Sequence, residues 1–169
     1  MKEYQIAVIV GSLRKVSFNQ KLADAMIGLA PAEFSFKQVM IADLPLYNQD
    51  DGANQAGSVK RLKAELNVSQ GFLFVSPEYN RSIPSVIKNA IDHASRPYGN
   101  NTWANKPAGL LGASIGAIGA AVAQQHLRNV LAYLDVCEPE AFIHVKEGLF
   151  DKDGSISSDS KKFLQDWIV

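Results

Sequence analysis

The chain has 169 residues, enough for one domain that buries about two-thirds of its unfolded surface with no disulfide or metal to hold it. Its 17 basic and 17 acidic side chains cancel, so no long-range field draws it to nucleic acid or to a membrane surface, and an anionic ligand has to be caught locally. The single cysteine, Cys137, excludes an internal disulfide, agrees with a reducing compartment and reads as a small buried hydrophobe.

Ile6 to Val10 is an apolar, largely β-branched run without polar alternation, the pattern of a strand covered on both faces. It is too short for a signal-peptide core or a membrane span, which leads us to expect a soluble, cytoplasmic protein. Phe18, Leu22, Ala25, Met26 and Leu29 recur at helical spacing up to Ala30-Pro31. Phe34, Phe36 and Met40 alternate with Ser35, Lys37 and Val39, which predicts a partly exposed strand at the border of a sheet. The turn-rich stretch Asp43 to Gly52 has Tyr47 as its one large aromatic side chain. Val59, Leu62 and Leu66 mark a second helix, with Lys60, Arg61, Lys63 and Glu65 on its wet face.

Phe72 to Val75 is the next buried strand, and a third helix opens at Pro84 with an apolar face of Ile83, Val86, Ile87, Ala90 and Ile91. Ala108 to Ser114 reads as a strand of small residues, and Ile118, Val122, Leu127, Val130, Leu131 and Leu134 mark a fourth helix. Val136 to Val145 is strand-like but broken by Pro139, and Phe163, Leu164, Trp167 and Ile168 share one side of a closing helix. Without repeats, low-complexity tracts or linkers, residues 1–169 form a single domain. The alternation of strand and helix predicts an α/β fold, a doubly wound five-stranded parallel sheet with helices on both faces. Ligands of such sheets bind beyond the carboxyl ends of the strands, at the switch in strand order. The turns at Gly11, Pro77 and Ser114 all follow strands and belong to that rim.

Three stretches carry chemistry. Gly11-Ser12-Leu13-Arg14-Lys15-Val16-Ser17-Phe18-Asn19 joins a strand to a helix start, where hydroxyls, positive charge and free backbone N–H groups make a nest for a phosphate. Ser17 also suits an N-cap, with Gln20 closing a capping box. Pro77-Glu78-Tyr79-Asn80-Arg81-Ser82-Ile83-Pro84 is stiffened by a proline at each end, leaving N–H groups between them to face a planar heterocycle. Tyr79 can cover the edge of a ring, and Asn80 offers both a donor and an acceptor. Gly112-Ala113-Ser114-Ile115-Gly116-Ala117-Ile118-Gly119 lets something approach its backbone closely. Neither a Walker A loop nor a Gly-x-Gly-x-x-Gly turn is present, and His93, His126 and His144 lack metal-ligand spacing. Ser12, Ser17 and Ser114 have no evident His and carboxylate partners for hydrolase chemistry.

Taken together, Gly11 to Lys15 with Ser17 and Asn19, and Pro77 to Asn80 continued by Ser82-Ile83-Pro84 and Lys88-Asn89-Ala90-Ile91-Asp92, resemble the two signatures of the NADPH-dependent FMN reductase family. That flavodoxin-like group includes bacterial quinone, azo-dye and chromate reductases, and the resemblance runs from Ile6 to about Leu134. It implies that Ser12, Arg14, Ser17, Phe18 and Asn19 hold the phosphate of FMN. It further implies that Pro77, Glu78, Tyr79 and Asn80 line the isoalloxazine and that Ser114 reaches its inner side. In such an enzyme the cofactor carries the chemistry, so no catalytic side chain is required. A hydride passes from NADPH or NADH to flavin N5, and electrons pass on to a small acceptor such as a quinone, an azo compound, a metal oxyanion or free flavin, which implies ping-pong kinetics. Backbone N–H groups near Glu78 and Tyr79 then stabilise charge on the reduced ring, with the backbone of Glu78 mattering more than its carboxylate. A flavodoxin-like electron carrier or regulatory module would use the same phosphate loop, though such carriers usually dock through a one-signed surface.

Two further expectations concern the edge of the site. Arg81, beside the ring loop, is placed to project into the open side and meet the 2′-phosphate of NADPH, and Tyr47 is a second candidate for substrate contact. The broad apolar face of the third helix, followed by Tyr98 and Trp103, predicts a homodimer or homotetramer with the flavin near the interface.

Overall fold

The computed structural model describes residues 4–136 and 148–168. Four strands, β1 (Tyr4–Val10), β2 (Phe34–Gln38), β3 (Gly71–Val75) and β4 (Ala108–Leu111), alternate with α1 (Phe18–Leu29), α2 (Gly57–Val68), α3 (Ser85–Ala94) and α4 (Ala121–Tyr133), and α5 (Ser158–Ile168) closes the chain. The strands run parallel in the order β2-β1-β3-β4. The chain therefore winds outward from β1 to β2, crosses back, and continues on the far side, which puts the switch point between β1 and β3. Val10 is in register with Val75, and Val75 with Leu111, so three strands end flush and their loops leave one rim. The fifth strand expected near Val136 to Val145, with Cys137 and His144, lies almost wholly outside the described residues.

Alternation along the strands sends side chains to two cores. Ala7, Ile9, Phe72, Phe74 and Leu110 face a cluster completed by α2, α3 and α4, whereas Val8, Val10, Leu73, Val75 and Leu111 face one completed by α1 and α5. Helices thus cover both faces, as the unbroken apolar strands required.

Several expectations are corrected by packing. Trp103 is completely buried rather than exposed: its ring lies 5.0 Å from that of Phe72, and its Nε1 donates to the Ile91 carbonyl at 3.2 Å. A large aromatic finds more apolar surface beneath the sheet than outside it. Lys63 is also buried, because its ammonium reaches inward to the Arg96 carbonyl, and desolvation holds its pKa below the usual lysine value. The alternation proposed for residues 34–40 reverses at its end. Val39 is buried, its N–H donating to the Val8 carbonyl at 2.9 Å, while Met40 is exposed.

Pro84 caps α3 rather than opening it, and β4 stops at Leu111 instead of Ser114. Ile118 precedes α4 in an exposed loop, and on α5 Leu164 is buried while Phe163 faces out.

Candidate functional site

The loop after β1 leaves the sheet at Gly11, whose N–H still bonds the Val75 carbonyl at 2.9 Å. A Cβ on Gly11 would sit 2.5 Å from Ile87 Cδ1, so any larger residue here makes the end of that α3 side chain shift. Ser17 is buried and caps α1, its Oγ accepting from Asn19 N at 3.2 Å and Gln20 N at 3.3 Å. The capping box does not close, because the Gln20 amide turns instead to Asp24 and Gln38. From Ser12 to Phe18 the backbone N–H groups have no partner among the described residues, and Arg14 and Lys15 have no ion-pair partner there either. A run of unpaired donors beside two exposed cations is a receptive place for an anion.

Asn19 faces the other way. Its buried amide donates to the Ala113 carbonyl at 2.9 Å and accepts from the Ala113 N–H at 2.9 Å, tying the start of α1 to the segment after β4. Phe18 is half-exposed and stacks on Phe150, with ring centroids 5.9 Å apart.

The loop after β3 is folded on itself. Tyr79 and Ser82 exchange two backbone hydrogen bonds of 3.0 Å, with Asn80 at φ 50° and Arg81 at φ 62°. Both central residues are left-handed, the geometry of a type I′ turn, which normally selects glycine at the second position. The Tyr79 N–H is therefore spent within the turn and does not face a ligand, whereas those of Glu78, Asn80 and Arg81 have no partner among the described residues. The Glu78 side chain is nearly buried. Its Oε2 accepts from Val122 N at 3.0 Å and Ala123 N at 3.2 Å, and its Oε1 pairs with Arg81 Nη1 at 3.2 Å. The Arg81 guanidinium thus leans back on its own loop, although the side chain stays 64% exposed. His126 of α4 shares a 3.0 Å hydrogen bond with Ser82 Oγ, placing an imidazole beside this turn.

After β4, Ser114 Oγ accepts from Gly116 N at 3.2 Å, and Ile115 projects into solvent with 87% of its surface exposed. A Cβ on Gly112 would lie 2.4 Å from Ala120 Cβ and 2.5 Å from the Ser76 carbonyl, so what approaches this backbone closely is the protein itself.

Ser12, Arg14, Ser17, Phe18 and Asn19 thus fall on the first loop, Pro77 to Arg81 on the second and Ser114 on the third, all leaving one edge of the sheet. Tyr47 is separate. It lines a cleft of about 710 Å³ with His93, Arg96 and Tyr98, to which no residue of the three loops contributes. There its N–H donates to Asn89 Oδ1 at 2.8 Å and its ring meets His93 edge-on. Sequence reasoning missed His126 and the link from Glu78 to α4. The one available signal was that α4 begins at Ala121 with no capping side chain of its own.

Comparison with known proteins bears on what these loops do. Residues 4–148 match the family model described as NADPH-dependent FMN reductase. The chain is 48% identical over 168 residues to a 2-hydroxy-1,4-benzoquinone reductase of a Burkholderia species, covering 97% of this chain and 92% of that protein. It is 45% identical over 169 residues to a quinone reductase of Pseudomonas putida, covering 98% and 91%. Among solved structures it resembles FerB, a flavoenzyme NAD(P)H:(acceptor) oxidoreductase of Paracoccus denitrificans, with a TM-score of 0.89 and 45% identity over 98% of this chain and 97% of that one.

Proposed function

Since the chain belongs to the NADPH-dependent FMN reductase family and is an enzyme of NAD(P)H-dependent FMN or quinone reductase type, we propose that it moves a hydride from NADPH or NADH to bound FMN and electrons onward to a quinone, in ping-pong order. Bound FMN supplies the redox chemistry at its N5, and the chain supplies position, charge and exclusion of water.

The observation that carries this reading is the first loop. Seven successive residues, 12 to 18, keep backbone N–H groups without partners among the described residues, next to Arg14 and the half-buried Ser12. These groups match the phosphate of FMN in charge and donor chemistry. Ser17 preorganises the helix start behind them, and the Asn19 amide holds that start against Ala113.

The second and third loops suit a planar ring and a planar acceptor. Pro77 is buried and anchors the turn, Glu78, Asn80 and Arg81 offer backbone donors, and the exposed side chains of Tyr79 and Ile115 give apolar edges. A small neutral quinone buries apolar area against such edges, while donors stabilise the charge that reduction develops. The guanidinium of Arg81, exposed although paired with Glu78, is a candidate to meet a dinucleotide phosphate in exchange for that carboxylate. Exposed Leu46 and Tyr98 near the Tyr47 cleft support association into a homodimer.

The test is the protein as purified. A flavin absorbance spectrum, bleached by NADPH without air and restored by a benzoquinone, is the expected result, with light scattering at micromolar concentration giving a dimer. Tight FMN binding without NADPH or NADH oxidation would instead identify an electron carrier.

A further inference from the structure

The carboxylate of Glu78 has no role in the chemistry above, yet it is the most completely engaged charged group at the rim. Its side chain is only 8% exposed, and three donors surround it. Two of these are the N–H groups of Val122 and Ala123, the second and third residues of α4. Those positions are the ones an N-cap side chain satisfies, and the residue at the cap, Ala120, has none. Glu78 therefore caps a helix from 44 residues away, where the helix dipole favours a negative charge.

The third donor is Arg81. Its backbone and that of Asn80 are left-handed, a conformation that a long side chain adopts only when its surroundings impose it. The turn is closed below by the Tyr79 and Ser82 bonds and above by the pull of Glu78 on the guanidinium. α4 in turn follows directly on the glycine-rich loop, whose Gly112 packs against the Ser76 carbonyl. One side chain thus joins the turn after β3 to the helix that ends the loop after β4.

We propose that Glu78 is a positioning residue for the flavin site. By accepting from Val122 and Ala123 it clamps the ring loop to α4 and fixes the distance between the two loops that hold the ring. This rests on the FMN-dependent reading given above. With both carboxylate oxygens bonded to the protein, Glu78 acts through the geometry it imposes.

Comparing Glu78→Gln with Glu78→Ala isolates the clamp, because both variants are neutral and both deprive Arg81 of its partner. Only glutamine keeps an oxygen for the α4 N–H groups. Affinities for FMN and for lumiflavin, which has the ring without the phosphate, are measured together with the midpoint potential of bound FMN. The alanine variant is expected to bind both flavins at least tenfold more weakly than the glutamine variant. If reduced FMN loses a further factor of ten, the two midpoints separate by about 30 mV.

Equal flavin affinities and midpoints in the two variants overturn the positioning role, even where the alanine variant melts at a lower temperature, since that pattern belongs to a helix cap alone. If the alanine variant does not fold, glutamine against wild type decides. Lumiflavin affinity within twofold of wild type upholds the clamp, and a tenfold loss overturns it in favour of the charge. Wild-type protein that binds no FMN overturns the flavin reading itself, and the positioning role with it.

Discussion

The loops after β1 and β3 leave neighbouring strands at residues in direct register, Val10 and Val75, yet they are built in opposite ways. The first stays open, its backbone donors unpaired and its cations without partners among the described residues. The second is closed by a two-bond turn, a buried carboxylate and an ion pair. Each design suits a different object. A phosphate is small and highly charged, and many donors can converge on it with little demand on the exact shape of the loop. A flat heterocycle presents its polar atoms in fixed directions along its edge, so donors meant for it must be fixed in advance.

The largest effect expected from breaking this arrangement lies behind the loops, where glycines allow close packing. Gly112→Ala drives a methyl group against backbone and against Ala120, and should cost about 3 kcal/mol in thermal or denaturant unfolding. Gly11→Ala meets chiefly the mobile end of Ile87 and should cost about 1 kcal/mol. A larger loss at Gly11 than at Gly112 would reverse our account of which contact is rigid.

Next comes the open loop itself. Arg14→Ala should weaken FMN by about 1.5–3 kcal/mol, the worth of a charge-assisted hydrogen bond, while riboflavin, lacking the phosphate, is held as before. Titrations showing equal losses for the two flavins would remove Arg14 from the phosphate site.

The smaller of the two ligand effects belongs to the closed loop. Arg81 already has Glu78, so an incoming 2′-phosphate must compete for it, and Arg81→Ala should lower kcat/KM for NADPH by about 1.5 kcal/mol, roughly tenfold, with little change for NADH. A common factor for both cofactors means that Arg81 does not read the 2′-phosphate.

Much of this is legible in the sequence alone. Apolar runs such as Ile6 to Val10 and Phe72 to Val75 announced buried parallel strands, and turn chemistry placed all three loops at their carboxyl ends. What stayed hidden depends on partners distant in sequence. Nothing near Glu78 reveals that its acceptors' donors lie at Val122 and Ala123, and nothing near Lys63 points to the Arg96 carbonyl. Trp103 was misread for the same reason. A tryptophan in a polar loop looks exposed until the floor formed by Phe72 and Phe74 is known. The left-handed Arg81 is the remaining case: local preference argues against it, and only the ties around the turn explain it.

The exchange between Asn19 and Ala113 has a wider meaning. Its two bonds, both 2.9 Å, involve the N–H and C=O of a single residue beyond the end of β4, as though another strand ran alongside. A side-chain amide is chemically a peptide group, so Asn19 lengthens the sheet by one rung without spending any backbone on it. The border between scaffold and loop therefore falls between Ala113 and Ser114. A substitution such as Asn19→Asp, which sets an acceptor against the Ala113 carbonyl, would unfasten that last rung. It would then register in a binding assay while its cause lay in the frame.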